Sequence, residues 1–451
     1  MSHRASRVLR LDALARVEGE AALHLTVHDG TVTGTRLRIY EPPRFFEAFL
    51  VGRGHHEPPD ITARICGICP VAYQMTSCQA IEAACGVTVD GPLAELRRLL
   101  YYGEWIESQS LHIHLLHAPD FFGHPSAVEL ARDQRAAVER GLRIKQAGNA
   151  VMEQLGGRAI HPVNVRVGGF YRVPGPAELA PLARRLRRAH DDALETVRWV
   201  SGFDFPDAAF DGPLLAMRDP GRYAIDSGTP AVLAASPGSD GAAPVTPFRV
   251  EEFERHVVER QVPHSTALVS ELDGHPYLTG SLARYAVSGR WLHPSARGAA
   301  REAGLGDPAA GAVCRNPFRS IVVRAVEVVH AVAEALRIID AYEPPARPYA
   351  EVPPRRATGR AATEAPRGLL YHRYAMDADG TLTLARIVPP TAQNQAAIED
   401  DLRRQVQARL DRPDEAPGDA ELTALCERAV RNHDPCISCS AHFLDLTVER
   451  G

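Results

Sequence analysis

No stretch of this chain is long and apolar enough to cross a membrane. The nearest, SIVVRAVEVVHAVAEALRIID at 320–340, is broken by Arg324, Glu327, His330 and Glu334, whereas a spanning helix needs about 20 nearly uncharged residues. It is expected instead to be a buried helix of a soluble protein. The opening MSHRASRVLRLDALARVEGE has no apolar h-region, so it does not read as a signal peptide. Charge of one sign is lacking too. With 51 Lys and Arg against 56 Asp and Glu, the net charge is -5, which gives no electrostatic ground for nucleic acid or an anionic membrane as partner. There is no tandem repeat and no G-x-G-x-x-G fingerprint, so nothing points to a nucleotide site. Cysteine is scarce: eight in 451 residues do not make a disulfide scaffold.

What is present is an ordinary globular composition, 45% apolar and 24% charged, in a chain long enough for a large core. The segment AALHLTVHDGTVTGTRLRIY (21–40) alternates apolar and polar residues about Asp29-Gly30, the dipeptide that favours a tight hairpin turn. GLLYHRYAMDADGTLTLARIV (368–388) suggests a second hairpin about Asp379-Gly380. Helical periodicity dominates elsewhere. Helices are expected at 92–117, opening on Pro92, at 126–155, ending at Gly156-Gly157, and at 176–200, 249–260, 316–341, 395–411 and 418–431. The Pro/Gly-rich segments 226–247 and 342–368 read as connectors. The expected fold class is α+β, a large mainly helical core with small β-hairpins near the N-terminus and in the last third.

The placement of the cysteines says more than their number. Cys66/Cys69 and Cys436/Cys439 are two Cys-x-x-Cys pairs separated by most of the chain. Such pairs serve zinc knuckles, redox disulfides or iron–sulfur sites, or are unrelated. Zinc-finger pairs sit within about 20 residues of each other, so a small structural zinc module is the weaker reading. Cys78, Cys85, Cys314 and Cys426 lie in apolar surroundings and are expected to be buried free thiols.

The residues flanking the pairs carry a family resemblance. RVEGE (16–20), RFFEAFLVGR (44–53), RICGICPVAYQMTS (64–77) and the terminal DPCISCSAH (434–442) resemble the large, catalytic subunit of nickel–iron hydrogenases. So do HIHLLHAPDFFG (112–123), GGRAIHPVNVRVGGFYRVP (156–174), YLTGSLARY (277–285), EAPRG (364–368) and PPTAQNQ (389–395), in the family's order over nearly the whole chain. The resemblance implies that Cys66, Cys69, Cys436 and Cys439 hold nickel, with Cys69 and Cys439 bridging to an iron that carries carbon monoxide and cyanide. Soft thiolate donors suit nickel. Arg367 and Thr391 match residues contacting the cyanides, with Pro366 and Pro390 lining that pocket. Hydrogen is so weak an acid that splitting it needs a metal for the electron pair and a base for the proton. The matching bases are the Cys436 thiolate and Arg367; the thiolate ranks first, because a guanidinium stays protonated. Glu18 matches the glutamate that relays the proton outward. Glu47, the backbone carbonyl of Gln395 and His442 match ligands of a separate magnesium or iron site, and Asp434 can orient Arg367 or the cysteine loop. His112, His114 and His117 are expected to be packed or hydrogen-bonded helix residues.

Where many respiratory relatives have histidine this chain has Tyr73, and they have an aspartate near Ser108. The motif CPVAYQMTS therefore looks more like cytosolic enzymes acting on NAD(P) or sulfur, and a cytoplasmic site is expected. No cysteine set for an iron–sulfur cluster remains beyond the nickel ligands, nor is flavin or nucleotide expected in this chain. The resemblance thus implies an iron–sulfur small subunit as electron outlet and flavin- and NAD(P)-binding diaphorase subunits beyond it. A deazaflavin, sulfur or quinone acceptor is the alternative, and a non-catalytic complex I-type subunit would have lost the cysteines. The resemblance further implies nickel-insertion factors and a maturation endopeptidase: residues 1–442 would form the large-subunit domain, and 443–451 a tail cleaved after His442.

Overall fold

The architecture is that of a computed structural model that describes residues 6–235, 244–412 and 417–441. Four long helices make the main core: Gly91–Leu111, Arg135–Gly156, Pro176–Ser201 and Ser320–Asp340. The last is apolar on nearly every face and is buried along most of its length, as a helix surrounded by neighbours must be. The first two approach closely because Gly148 faces Gly103: a Cβ on Gly148 would lie 2.6 Å from the Gly103 carbonyl. Among the described residues no helix is long and apolar enough to cross a membrane.

A second, smaller core forms where the N-terminal sheet meets the C-terminal helices. Strands Ser6–Leu11, Ala21–His28 and Thr31–Ile39 pair antiparallel in that order. Asp29 and Gly30 both take positive φ, 52° and 77°, the turn that matches strand twist. The sheet lies on helix Pro390–Leu410, where Thr35 Oγ1 donates to the Glu399 carbonyl and the Leu37 amide to Glu399 Oε1, both at 2.8 Å. Leu23, Leu25 and Leu37 pack there with Ile398, Leu402, Val430 and Ile437. Another three-stranded antiparallel sheet, Ala357–Ala365, Gly368–Met376 and Leu382–Val388, adjoins helix Pro70–Cys85.

Several expected boundaries change. The helix at 249–260 is reduced to the consecutive short turns Val250–Glu252 and Phe253–His256; Val257–Gln261 is a strand paired with Leu268–Leu272, because its β-branched residues find a partner strand. The helix at 126–155 breaks at Gln134 into Ala127–Asp133 and Arg135–Gly156. The supposed connectors contain strands, Thr229–Leu233 and Val245–Pro247 in one and Ala357–Ala365 in the other. The expected second hairpin is present, and the α+β class with a dominant helical core stands. His442 and the tail 443–451 lie outside the described residues.

Candidate metal centre

The two cysteine pairs meet at the seam between the cores. Cys66 follows the short helix Ala63–Ile65, and Cys69 immediately precedes Pro70–Cys85. Buried Glu104 accepts the Val71 amide at 2.5 Å and the Ala72 amide at 3.1 Å, which fixes the start of that helix and so the Cys69 backbone. Cys436 stands before the turn Ile437–Ser440. A parallel bridge between Glu18 and Cys436, with the Ile437 amide donating to the Glu18 carbonyl at 2.9 Å, ties this end of the chain to the start. The Cys436 amide donates to Thr391 Oγ1 at 2.9 Å. Arg44 clasps both loops, donating to the carbonyls of Ile65 and Ser438.

All four sulfurs lie within 4.8 Å of one another and are buried. Cys66 and Cys436 Sγ are 3.4 Å apart, as are Cys69 and Cys439, while Cys436 and Cys439 are 2.8 Å apart. All eight cysteines, including the buried Cys78, Cys85, Cys314 and Cys426, are free of disulfides. Ion–sulfur bonds of about 2.3 Å put neighbouring sulfurs about 3.3–3.8 Å apart around one metal, which the two 3.4 Å pairs match, so the donor set fits a soft ion. Its electrostatics ask for one. Burial disfavours charge on every thiol; Cys66 still lies well below the ordinary thiol range because the other three sulfurs hydrogen-bond it and Arg367 faces it. Burial and its sulfur neighbours hold Cys436 well above that range. Four thiolates this close cannot all ionise without a cation among them.

Arg367 is one of the two residues, with Pro366, that join the paired strand ends Ala365 and Gly368. Its Nη1 donates to Ser108 Oγ at 3.1 Å and its Nη2 stands 3.1 Å from Asp434 Oδ1. Burial alone would lower its pKa, but Asp434 and the cysteine sulfurs outweigh that and raise it well above the ordinary guanidinium value, so the cation is fixed. Its buried Nε has no hydrogen-bond partner among the described residues, an orphaned donor that fits a polar group bound beside the sulfurs. Burial raises the Asp434 carboxyl, with Arg367 and Arg324 opposing. Glu18 Oε2 accepts from Cys436 Sγ at 3.0 Å and from the Ser438 amide at 3.1 Å; burial and the Cys66 charge raise its pKa.

Beneath Arg367 lies a buried ion cluster that sequence reasoning missed. Arg284 is wholly buried; Nε and Nη2 meet Glu327 at 2.7 and 2.8 Å, and Nη1 meets Glu364 at 3.1 Å. The same guanidinium donates to the carbonyls of Ala365 at 3.0 Å and Pro366 at 2.9 Å. Glu327 was visible in the sequence as a charge breaking an apolar run, and Arg284 and Glu364 lie inside two of the quoted motifs. Arg44 likewise opens a quoted motif, RFFEAFLVGR, whereas Glu104 had no comparable signal of its role.

Pro390 and Thr391 open helix Pro390–Leu410, and the Thr391 hydroxyl there is the group that accepts the Cys436 amide. The second-site residues are less complete. Glu47 Oε1 accepts the Ile387 amide at 2.7 Å and its Oε2 lies 3.9 Å from Arg386; burial pushes its carboxyl up to about 7, with Arg386 opposing. Gln395 directs its side chain to the Leu37 carbonyl at 3.1 Å. The histidines are buried and bonded as expected: His112 Nε2 to the Arg431 carbonyl at 2.9 Å, His117 Nε2 to Asn432 Oδ1 at 3.0 Å, and His114 Nδ1 to the Ser110 carbonyl at 3.1 Å.

A sequence-family model described as nickel-dependent hydrogenase matches residues 44–154. The chain is 32% identical to sulfhydrogenase 1 subunit alpha of Pyrococcus furiosus, over 97% of this chain and 98% of that one. It is 31% identical to sulfhydrogenase 2 subunit alpha of the same organism, over 97% and 100%. Among solved structures, an NAD+-reducing [NiFe]-hydrogenase in the H2-reduced state superposes with a TM-score of 0.86 at 26% identity, covering 98% of this chain and 100% of that chain.

Proposed function

Because this chain belongs to the nickel-dependent hydrogenases, as a large, catalytic subunit acting on hydrogen, we propose how its residues divide the work of splitting H2 into protons and electrons. The observation that carries the reading is four converging sulfurs with Glu18 at 3.0 Å from one of them. Cys66, Cys69, Cys436 and Cys439 hold nickel, and Cys69 and Cys439 also hold iron. When bound, the two metals supply the electron-accepting centre at which H2 is split.

Cys436 Sγ is the base, and it passes its proton to Glu18 Oε2, the carboxylate in hydrogen-bond reach. Arg367 cannot compete, since the anions around it keep it charged. With Thr391, Pro366 and Pro390 it forms the pocket for the iron's cyanide and carbon monoxide ligands, supported by its orphaned Nε. Asp434 fixes the guanidinium at 3.1 Å. Glu47, the Gln395 carbonyl and His442 hold magnesium or iron. Removal of 443–451 after nickel insertion belongs to the same proposal.

Electrons leave through an iron–sulfur partner subunit in a cytoplasmic complex. Higher identity to the two sulfhydrogenase subunits than to the NAD+-reducing structure supports a sulfur or polysulfide acceptor ahead of the NAD(P)+ expected from the sequence, which would require diaphorase subunits. H2-dependent reduction of polysulfide and of NAD(P)+ by the native complex decides between them; a complex reducing only NAD(P)+ rejects the sulfur acceptor. For the proton path, Glu18→Gln should keep both metals and lower D2/H+ exchange by about a hundredfold or more. Parent exchange in that variant would remove Glu18 from the path.

A further inference from the structure

A cavity of about 270 Å³ opens away from the sulfurs, lined by residues of helices Gly91–Leu111 and Ser320–Asp340, the turn 221–223 and Trp291. No residue of the metal centre lines it.

One buried hydroxyl in its wall has a hydrogen to give. The His293 amide donates to His330 Nδ1 at 3.0 Å, so Nδ1 carries no hydrogen and, in the neutral ring, Nε2 does. Burial keeps that ring neutral, with a pKa lowered to about 3. Nε2 therefore donates to the Tyr102 hydroxyl oxygen, 3.4 Å away. The hydrogen of that hydroxyl is left without an acceptor among the described residues, on a side chain 2% exposed that lines the cavity. A buried donor left unmet is costly, and an occupant of the cavity can meet it.

The charges around the walls favour an anion. Arg98, Arg222 and Arg337 stand against Glu95 and Glu334. Arg337 is held by Glu334 at 2.8 Å and by Glu95 at 2.9 Å, and Arg98 is held by Asp226 at 2.9 Å as well as by Glu95. Both glutamates are thus engaged by arginine. Arg222 is half exposed, and its ion pair with Asp219 is long, 3.7 Å, which leaves it the least paired cation of the set. Tyr223 and Trp291 add aromatic surface.

We propose that this cavity binds a small organic carboxylate, whose oxygens accept from the Tyr102 hydroxyl and the Arg222 guanidinium while its body lies against Tyr223 and Trp291. The site needs no metal and does not depend on the proton path. It adjoins the buried ion cluster, since Tyr223 donates to Glu327 at 2.6 Å, and Glu327 pairs with the Arg284 that holds the Pro366 carbonyl.

The test is calorimetric titration of the native complex with acetate, benzoate and the neutral benzamide. Benzoate should bind saturably, in the millimolar range or tighter, and benzamide about tenfold more weakly. Tyr102→Phe removes the donor and keeps the ring; Arg222→Gln removes the charge at an exposed position. Each should weaken benzoate about tenfold or more, as loss of a hydrogen bond to a charged group does. Arg222→Gln should melt at the parent temperature, so its loss of affinity cannot be assigned to unfolding, and it decides the matter if Tyr102→Phe folds poorly. Parent affinity in Arg222→Gln, or in a folded Tyr102→Phe, overturns the site. Absence of saturable binding of both acetate and benzoate overturns it as well, since water alone would then fill the cavity. Benzamide binding as tightly as benzoate rejects a carboxylate as the occupant.

Discussion

Replacing Arg284 with methionine isolates what the buried ion cluster does. The substitution keeps an unbranched stem of similar reach and removes every donor of a wholly buried guanidinium. Two carboxylates lose their counter-ion. Glu327 keeps the Tyr223 hydroxyl at 2.6 Å and Gln109 Nε2 at 3.0 Å, and Glu364 keeps only the Met217 amide at 2.7 Å among the bonds found for its carboxylate. The carbonyls of Ala365 and Pro366 also lose a donor. Breaking a buried pair by deleting one partner costs about 3–5 kcal/mol, and the carbonyls raise this rather than lower it. Proton uptake by Glu364 offsets part, since burial, opposed by Arg284, already pushes its carboxyl up to about 7. A net loss of ~4 kcal/mol is expected. With an unfolding entropy of about 2.1 cal/mol/K per residue over 451 residues, each kcal/mol moves the midpoint by about 1 °C, so Tm should fall by ~4 °C. Because the raised carboxyl pKa favours the folded state only while protonated, the deficit should be smaller at pH 6 than at pH 8. Arg284→Lys, which keeps the charge without the planar fork, should lose less. Calorimetry together with nickel content provides the assay, since the Pro366 carbonyl carries the effect to Arg367. Parent Tm and parent nickel in Arg284→Met would refute the reasoning.

Glu259 should make stability fall with rising pH, because burial, opposed by Arg386, pushes its carboxyl up from 4.5 to about 8. The folded state therefore binds this proton more tightly than the unfolded chain, stabilisation is greatest below pH 4.5, and it is lost as pH rises to about 8. Glu259→Gln should flatten the Tm–pH curve over that window; an unchanged curve would count against the assignment. Gly19→Ala should lower nickel content, since its Cβ would sit 2.6–2.9 Å from Glu41 Oε2, Ile437 Cβ and Ser438 N at a positive φ, and elemental analysis against parent reads the effect. Intact mass of the nickel-loaded chain should end at His442; a full-length mass would show that the tail is retained.

Both Asp-Gly hairpins were legible in the sequence because turn chemistry is local. The helix Pro70–Cys85 was not, since it is buried almost throughout and shows no amphipathic period. Strand Ala357–Ala365 was hidden for the same reason: Ala361 to Ala365 are buried on both faces, so no alternation marks them. At the metal centre the four cysteines were legible as paired motifs, and the motif residues Glu18, Arg367 and Thr391 lie beside them. Glu104, Arg44 and the Arg284 cluster escaped because their partners are amides, carbonyls and carboxylates far along the chain, joined only by the packing of the two cores. Val257–Gln261 was read as the end of a helix from periodicity over 249–260, while its pairing with Leu268–Leu272 decides the outcome.

Elemental analysis and infrared spectroscopy of the same purified native complex test the central claim most directly. The account predicts nickel and iron in equal amounts in this chain, with infrared bands of bound carbon monoxide and cyanide. Replacement of any of the four cysteines by alanine should abolish nickel retention and those bands together. Zinc alone in the four-sulfur site, without such bands, would contradict it.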